Sequence, residues 1–224
     1  MGNNKKTRRV FRVGMLLLLL ALSSAALLLG CENDGIETIA ETAIELEETH
    51  GQTVEELNLL LQEEAELQRH FEETLETDDD LTSFGDGSSP VFTNLSDRKE
   101  RMERLGELEE ALAIHAGTLR EYTGSQLDVN ALDGLAGDVD RFSEILGTFR
   151  GEYEQNLEEK ERYFESLAAE DATYDIFTDG IHELNAQHEI MREHFYGLDE
   201  ELSLLAQGIE ELQQTIQESQ EEEE

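Results

Sequence analysis

One cysteine, one proline and no tryptophan stand among the 224 residues of this chain. A single cysteine excludes an intrachain disulfide and any multi-cysteine zinc cluster. A single proline, in a background rich in Glu, Leu, Gln and Ala, leaves long helices uninterrupted. No stretch of useful length alternates with period two, so strands have no support. Positive charge is scarce as well: 16 Lys and Arg face 54 Asp and Glu, a formal net charge of −38. Residues 1–30 hold five of the bases (Lys5, Lys6, Arg8, Arg9, Arg12) and no acid, leaving 11 bases against 54 acids, net −43, for the rest. Such a body repels nucleic acid and anionic lipid alike, and no nucleic-acid partner is expected.

Long apolar runs are also absent, with one exception. Val13–Leu29 is an uncharged stretch of 17 residues behind the basic start, and it falls short of the roughly 20 residues a spanning helix needs. It ends in Leu28, Leu29, Gly30 and Cys31, and "LLGC" resembles the lipobox of prokaryotic lipoproteins. The resemblance implies cleavage between Gly30 and Cys31, with a diacylglyceryl group on the Cys31 sulfur and an acyl group on the freed amine as a further addition. Two acyl chains, at about 0.8 kcal/mol per buried methylene, suffice for stable anchoring. The lone thiol is then an attachment point on the outer face of the cytoplasmic membrane, and the membrane is a partner through the lipid. A signal anchor with an incidental cysteine is the competing reading. Arg8 and Arg9, within "TRRVFR", look like a twin-arginine export signal, an address read by a receptor, with the general export route as the alternative.

After a polar tether at 31–35, hydrophobic residues recur at the 3.5-residue spacing of packed helices. The first stripe is Ile36, Ile39, Ala43, Leu46, His50, Thr53, Leu57, Leu60, Glu64, Leu67 and Phe71, with Gly51 as a candidate break. Residues 77–96 carry Gly, Asp, Ser and the proline and read as a loop, with Ser96 as the cap of a second helix through Met102, Leu105, Leu108, Leu112, Leu119 and Tyr122. A turn at 123–130 precedes a third stripe from Leu132 to Leu167, interrupted by Asn156 and Lys160. After a turn at 169–174, the last stripe runs from Phe177 to Ile216 and includes His188. The tail 218–224 lacks a stripe and is expected to fray. No helix buries its stripe alone, so the reading is an all-α, elongated antiparallel bundle of three to four coiled-coil-like helices over 36–217.

Chemistry is harder to find. No two of the six histidines lie four apart, so a zinc-peptidase helix is absent, and His182, His188 and His194, spaced by six, do not converge from one helix. Asp78–Asp80 and "DGSS" resemble calcium ligands loosely, but no Glu stands twelfth in the loop. No nucleophile–base motif or phosphate-cradling loop is present. No catalytic residue, metal site or cofactor is assigned. A carboxylate-rich, lysine-poor surface is typical of proteins dissolved in concentrated salt, and capture of a cationic partner or of divalent ions is the functional alternative.

"RFSEILGTFRGEYEQNLEEKERYFESL" (141–167) and "EDATYDIFTDGIHELN" (170–185) carry a further likeness. With the lipobox, the chain resembles the cell-wall-binding lipoproteins of Gram-positive bacilli (YkyA-like), and a haloarchaeal lipoprotein is the competing origin. The resemblance departs in charge, because relatives are usually rich in lysine. It implies a non-enzymatic protein that binds or spaces a cell-wall polymer or an envelope protein. The alternative is an envelope hydrolase, or a metal-dependent regulator of one, working through buried carboxylates or a histidine.

Overall fold

A computed structural model describes residues 35–221. The export signal, Arg8, Arg9, Gly30 and Cys31 lie outside these residues. Among the described residues five helices follow one another: α1 (Ile36–Thr77), the single turn α2 (Thr82–Gly85), α3 (Pro90–Arg120), α4 (Val129–Ser166) and α5 (Tyr174–Glu221). The four long ones pack α1 on α3, α3 on α4, α4 on α5 and α5 back on α1. Paired residues run in opposite directions on each seam: Asn94 meets Glu63 while His115 meets Thr49, and His50 meets Leu202 while Gln213 meets Glu47. The result is an up-down-up-down four-helix bundle, about 60 Å long from the 42 residues of α1 at 1.5 Å each.

The stripes meet along the axis. Ile39, Leu46, Leu60, Leu105, Leu112, Val139, Leu146 and Leu205 are essentially inaccessible to solvent. Thr42, Thr49 and Thr53 sit among them, each hydroxyl donating to the carbonyl four residues earlier, which satisfies it without a partner helix.

Each end of the bundle has its own closure. At the end where the described chain begins, Gly35 takes a left-handed conformation (φ +78°) with the Tyr122 ring against it. The Tyr122 hydroxyl accepts from the backbone N–H groups of Gln126 and Leu127, at 3.2 and 3.1 Å, and so fixes the α3–α4 turn. Ser219, near the end of α5, donates to the Gln126 carbonyl there. At the opposite end Phe71, Phe84, Phe92, Phe164 and Phe177 form one cluster, with ring centroids 5.5–6.5 Å apart.

Several boundaries differ from the sequence reading. The loop expected over 77–96 is shorter, because α3 starts at Pro90 with Ser89, not Ser96, as its cap; the Ser89 hydroxyl accepts from Val91 N–H and pairs with Thr74. Proline at the first helical position gives up an N–H that has no partner anyway, so here it opens a helix. Gly51 does not break α1, which passes through it with open space around the Cα. The tail expected to fray from 218 is helical to Glu221.

Candidate functional site

The stripe of α5 is not buried evenly. Leu198, Leu205, Ile209 and Ile216 are buried, whereas Phe177, Ile181 and Leu184 are only half-covered. Here the heptad reading needs correction: Gln187 is buried, and His188, expected on the seam, is exposed. The shift by one position turns His188 outward while its ring still reaches Glu64, Nδ1 to Oε1 at 3.6 Å.

Glu64 is the centre of a buried polar layer. Its side chain is 6% exposed and accepts from the Arg98 guanidinium at 3.3 Å, and Lys160 Nζ lies 3.9 Å from the same oxygen. Arg98 has no solvent exposure. It also donates through Nε to the Tyr153 hydroxyl at 2.8 Å, with its guanidinium carbon 5.1 Å from that ring's centroid, and through Nη1 to Asn94. Asn94 in turn donates to the Glu63 carbonyl of α1, and Lys160 donates to Asn156. All four long helices therefore contribute: α1 by Glu64, α3 by Arg98 and Asn94, α4 by Tyr153, Asn156 and Lys160, α5 by His188. Two cationic side chains thus share one buried carboxylate. Burial, reinforced by the neighbouring Arg98 charge, lowers the Lys160 ammonium to about 7, with Glu64 and Glu159 pulling the other way. Burial likewise raises the Tyr153 phenol, opposed by Arg98.

One helical turn towards the Gly35 end, the outer seam between α1 and α5 opens into a groove of about 470 Å³. Its floor is Leu57, Phe195, Leu198 and Leu202, all buried, and its rim carries the exposed Leu61 and Tyr196. His50 lies at one end of it, half-buried and donating from Nε2 to the Leu202 carbonyl at 3.0 Å. Burial lowers the pKa of His115, on α3, against a weaker opposing pull from Glu45. His115 Nε2 contacts the Thr49 hydroxyl at 3.2 Å; that hydroxyl donates its proton to the Glu45 carbonyl, so the imidazole Nε2 is the donor.

The loop carboxylates have structural duties. Asp78 accepts from Ser83 N–H at 2.7 Å and Asp86 from Ser88 N–H at 2.9 Å, and hydrogen bonding to Ser83 and to Ser88, through the side chain first and then the backbone, holds both carboxyls below their usual range. Among the described residues no three or more His, Cys, Asp or Glu side chains gather as a metal site would require. His182 is exposed on α5, and His194 pairs with Glu152 at 3.1 Å.

Residues 33–215 match the model of a family, YkyA, described as "Putative cell-wall binding lipoprotein". The chain belongs to this family. No curated protein and no solved structure matches it. The family's description joins lipoprotein and cell-wall binding, and among the described residues no helix is long and apolar enough to cross a membrane. The polar layer was half visible beforehand, since Glu64, Asn156 and Lys160 occupy stripe positions where Leu is expected. Arg98 escaped because the supposed cap at Ser96 put it in a first turn, when it continues the α3 stripe one turn upstream of Met102.

Proposed function

We propose that the protein is a lipid-anchored, extracytoplasmic, non-enzymatic rod that binds a cell-wall component on behalf of the envelope. The family match over residues 33–215 carries this reading. The placement of the chain's ends supports it: Cys31 precedes Gly35 by four residues, and Gly35 marks one end of a rod about 60 Å long. A diacylglyceryl group on Cys31 tethers that end to the bilayer, and loop 78–89 and turn 167–173 stand towards the wall. Four long helices with a continuous core resist bending, so the rod sets a distance as well as a contact.

The anchor is tested by comparing the wild-type chain with Cys31→Ser in cells fed a labelled fatty acid. Label and membrane retention should both be lost in the variant. Equal retention of both forms, with neither labelled, overturns the anchor. Wall binding is tested separately, by sedimentation of the protein with purified sacculi.

A further inference from the structure

We propose that the groove between α1 and α5 is the wall-binding site, and that its ligand is an uncharged N-acetylated glycan strand. The inference rests on the wall-binding reading above and names the polymer and the residues.

Three observations point to it. First, charge: the chain at large has 54 acids in 224 residues, yet the thirteen residues lining the groove include one carboxylate, Asp199, alongside one guanidinium, Arg192. The groove is close to neutral on a body that is strongly anionic. Anionic wall polymers are repelled by such a body, whereas a neutral glycan approaches it without an electrostatic cost. Second, the rim: Tyr196 is 68% exposed and stacks on no other ring among the described residues, and Leu61 opposite it is 42% exposed. A sugar ring has an apolar face of C–H groups that lies flat on an aromatic ring, and an acetamido methyl suits the Leu57–Leu61 side. Third, the polar groups: Asn58 and Asp199 flank the apolar floor and offer an amide and a carboxylate to hydroxyl and acetamido groups. An apolar floor with few polar groups, in a volume of several hundred Å³, is the usual make-up of a small-ligand site. Its lining runs from His50 to Leu61 on α1 and from Arg192 to Ala206 on α5, along the seam of the bundle, which suits a linear polymer.

The test uses the full chain in detergent, sedimented with sacculi before and after removal of their anionic polymers by acid. Wild type should bind stripped sacculi, and chitohexaose should compete. Tyr196→Ala should weaken binding about tenfold, with Tyr196→Phe retaining it because stacking needs no hydroxyl. Leu61→Ser is the second variant, and Tyr174→Ala, an exposed aromatic at the far end, should bind as wild type does. Circular dichroism confirms that each variant is folded. Unchanged binding by both folded groove variants overturns the site and leaves wall binding standing. Binding to unstripped sacculi only overturns the glycan and identifies an anionic polymer. No binding to either preparation overturns the wall-binding reading and this inference together.

Discussion

The two halves of the bundle are held together differently. From Gly35 to about Gly51, the core between the helices is apolar and mostly aliphatic, with Phe142 and Tyr122 as its aromatic members, and its few polar groups are threonines bonded to their own helix and one neutral-leaning histidine. From Glu64 outwards it is a layer of buried charge followed by a cap of phenylalanines, and α5 covers it only partly. The first half is stabilised by burial that any apolar residue of similar volume supplies. The second relies on partners that are each costly alone, since a buried charge without its counterion is far worse than none. An apolar seam tolerates sliding by a heptad, whereas Arg98 meets Glu64 and Tyr153 in one register only.

That contrast can be broken most strongly at Glu64. Glu64→Gln leaves Arg98 and Lys160 buried without a carboxylate, and should cost about 3–5 kcal/mol in urea unfolding. A loss below about 1 kcal/mol would mean that the layer is solvated and the contrast false.

Lys160→Met acts in the opposite direction. The Lys160 amine is depressed from 10.5 to about 7 in the folded protein, so the unfolded chain binds the extra proton between those values. Stability should therefore rise with pH from about 7 towards 10.5, with the full penalty present below 7. The methionine variant should be more stable by about 1–4 kcal/mol at pH 6, the advantage shrinking by pH 9. Thermal melts of both forms at the two pH values check this; an advantage independent of pH removes the lysine charge as its cause.

Gly180→Ala tests how tightly α5 is held in the outer half. A Cβ there would run into the Tyr163 ring, whose hydroxyl donates to the Phe177 carbonyl at 3.1 Å. The ring must swing away, at about 1–3 kcal/mol. An unchanged melt would show that the α4–α5 contact is already loose.

The smallest effect is expected in the inner half. Gly51 is helical with open space around it, so Gly51→Ala should stabilise by about 0.5–1 kcal/mol. Destabilisation would reveal that α1 bends there in solution.

The same contrast explains what the sequence discloses. The inner half is legible almost residue by residue, because an aliphatic seam repeats every three or four positions and nothing else produces that repeat. The outer half obeys the period less well. Glu64 and Lys160 look like interruptions until their partner is known, and the partner, Arg98, is on a helix whose start was misplaced by reading Pro90 as a loop residue. In α5 the relief of packing beyond Met191 lets the helix present Gln187 in place of His188, a rotation no single-helix pattern contains. The groove is the least legible feature. Leu61 and Tyr196 lie off the stripes, and they become a rim only because the fourth helix returns to the first.

An even number of long helices brings Gly35 and Glu221 to the same end, as the Ser219–Gln126 contact shows. A fluorophore joined at Glu221 therefore stays beside Gly35, however long the rod. The same label spliced at Gly87, an exposed turn residue with φ +75°, is carried some 6 nm away. If Cys31 is lipidated as proposed, two such derivatives make the molecule a ruler, from which the depth of the space between bilayer and wall can be read by optical distance measurement in living cells.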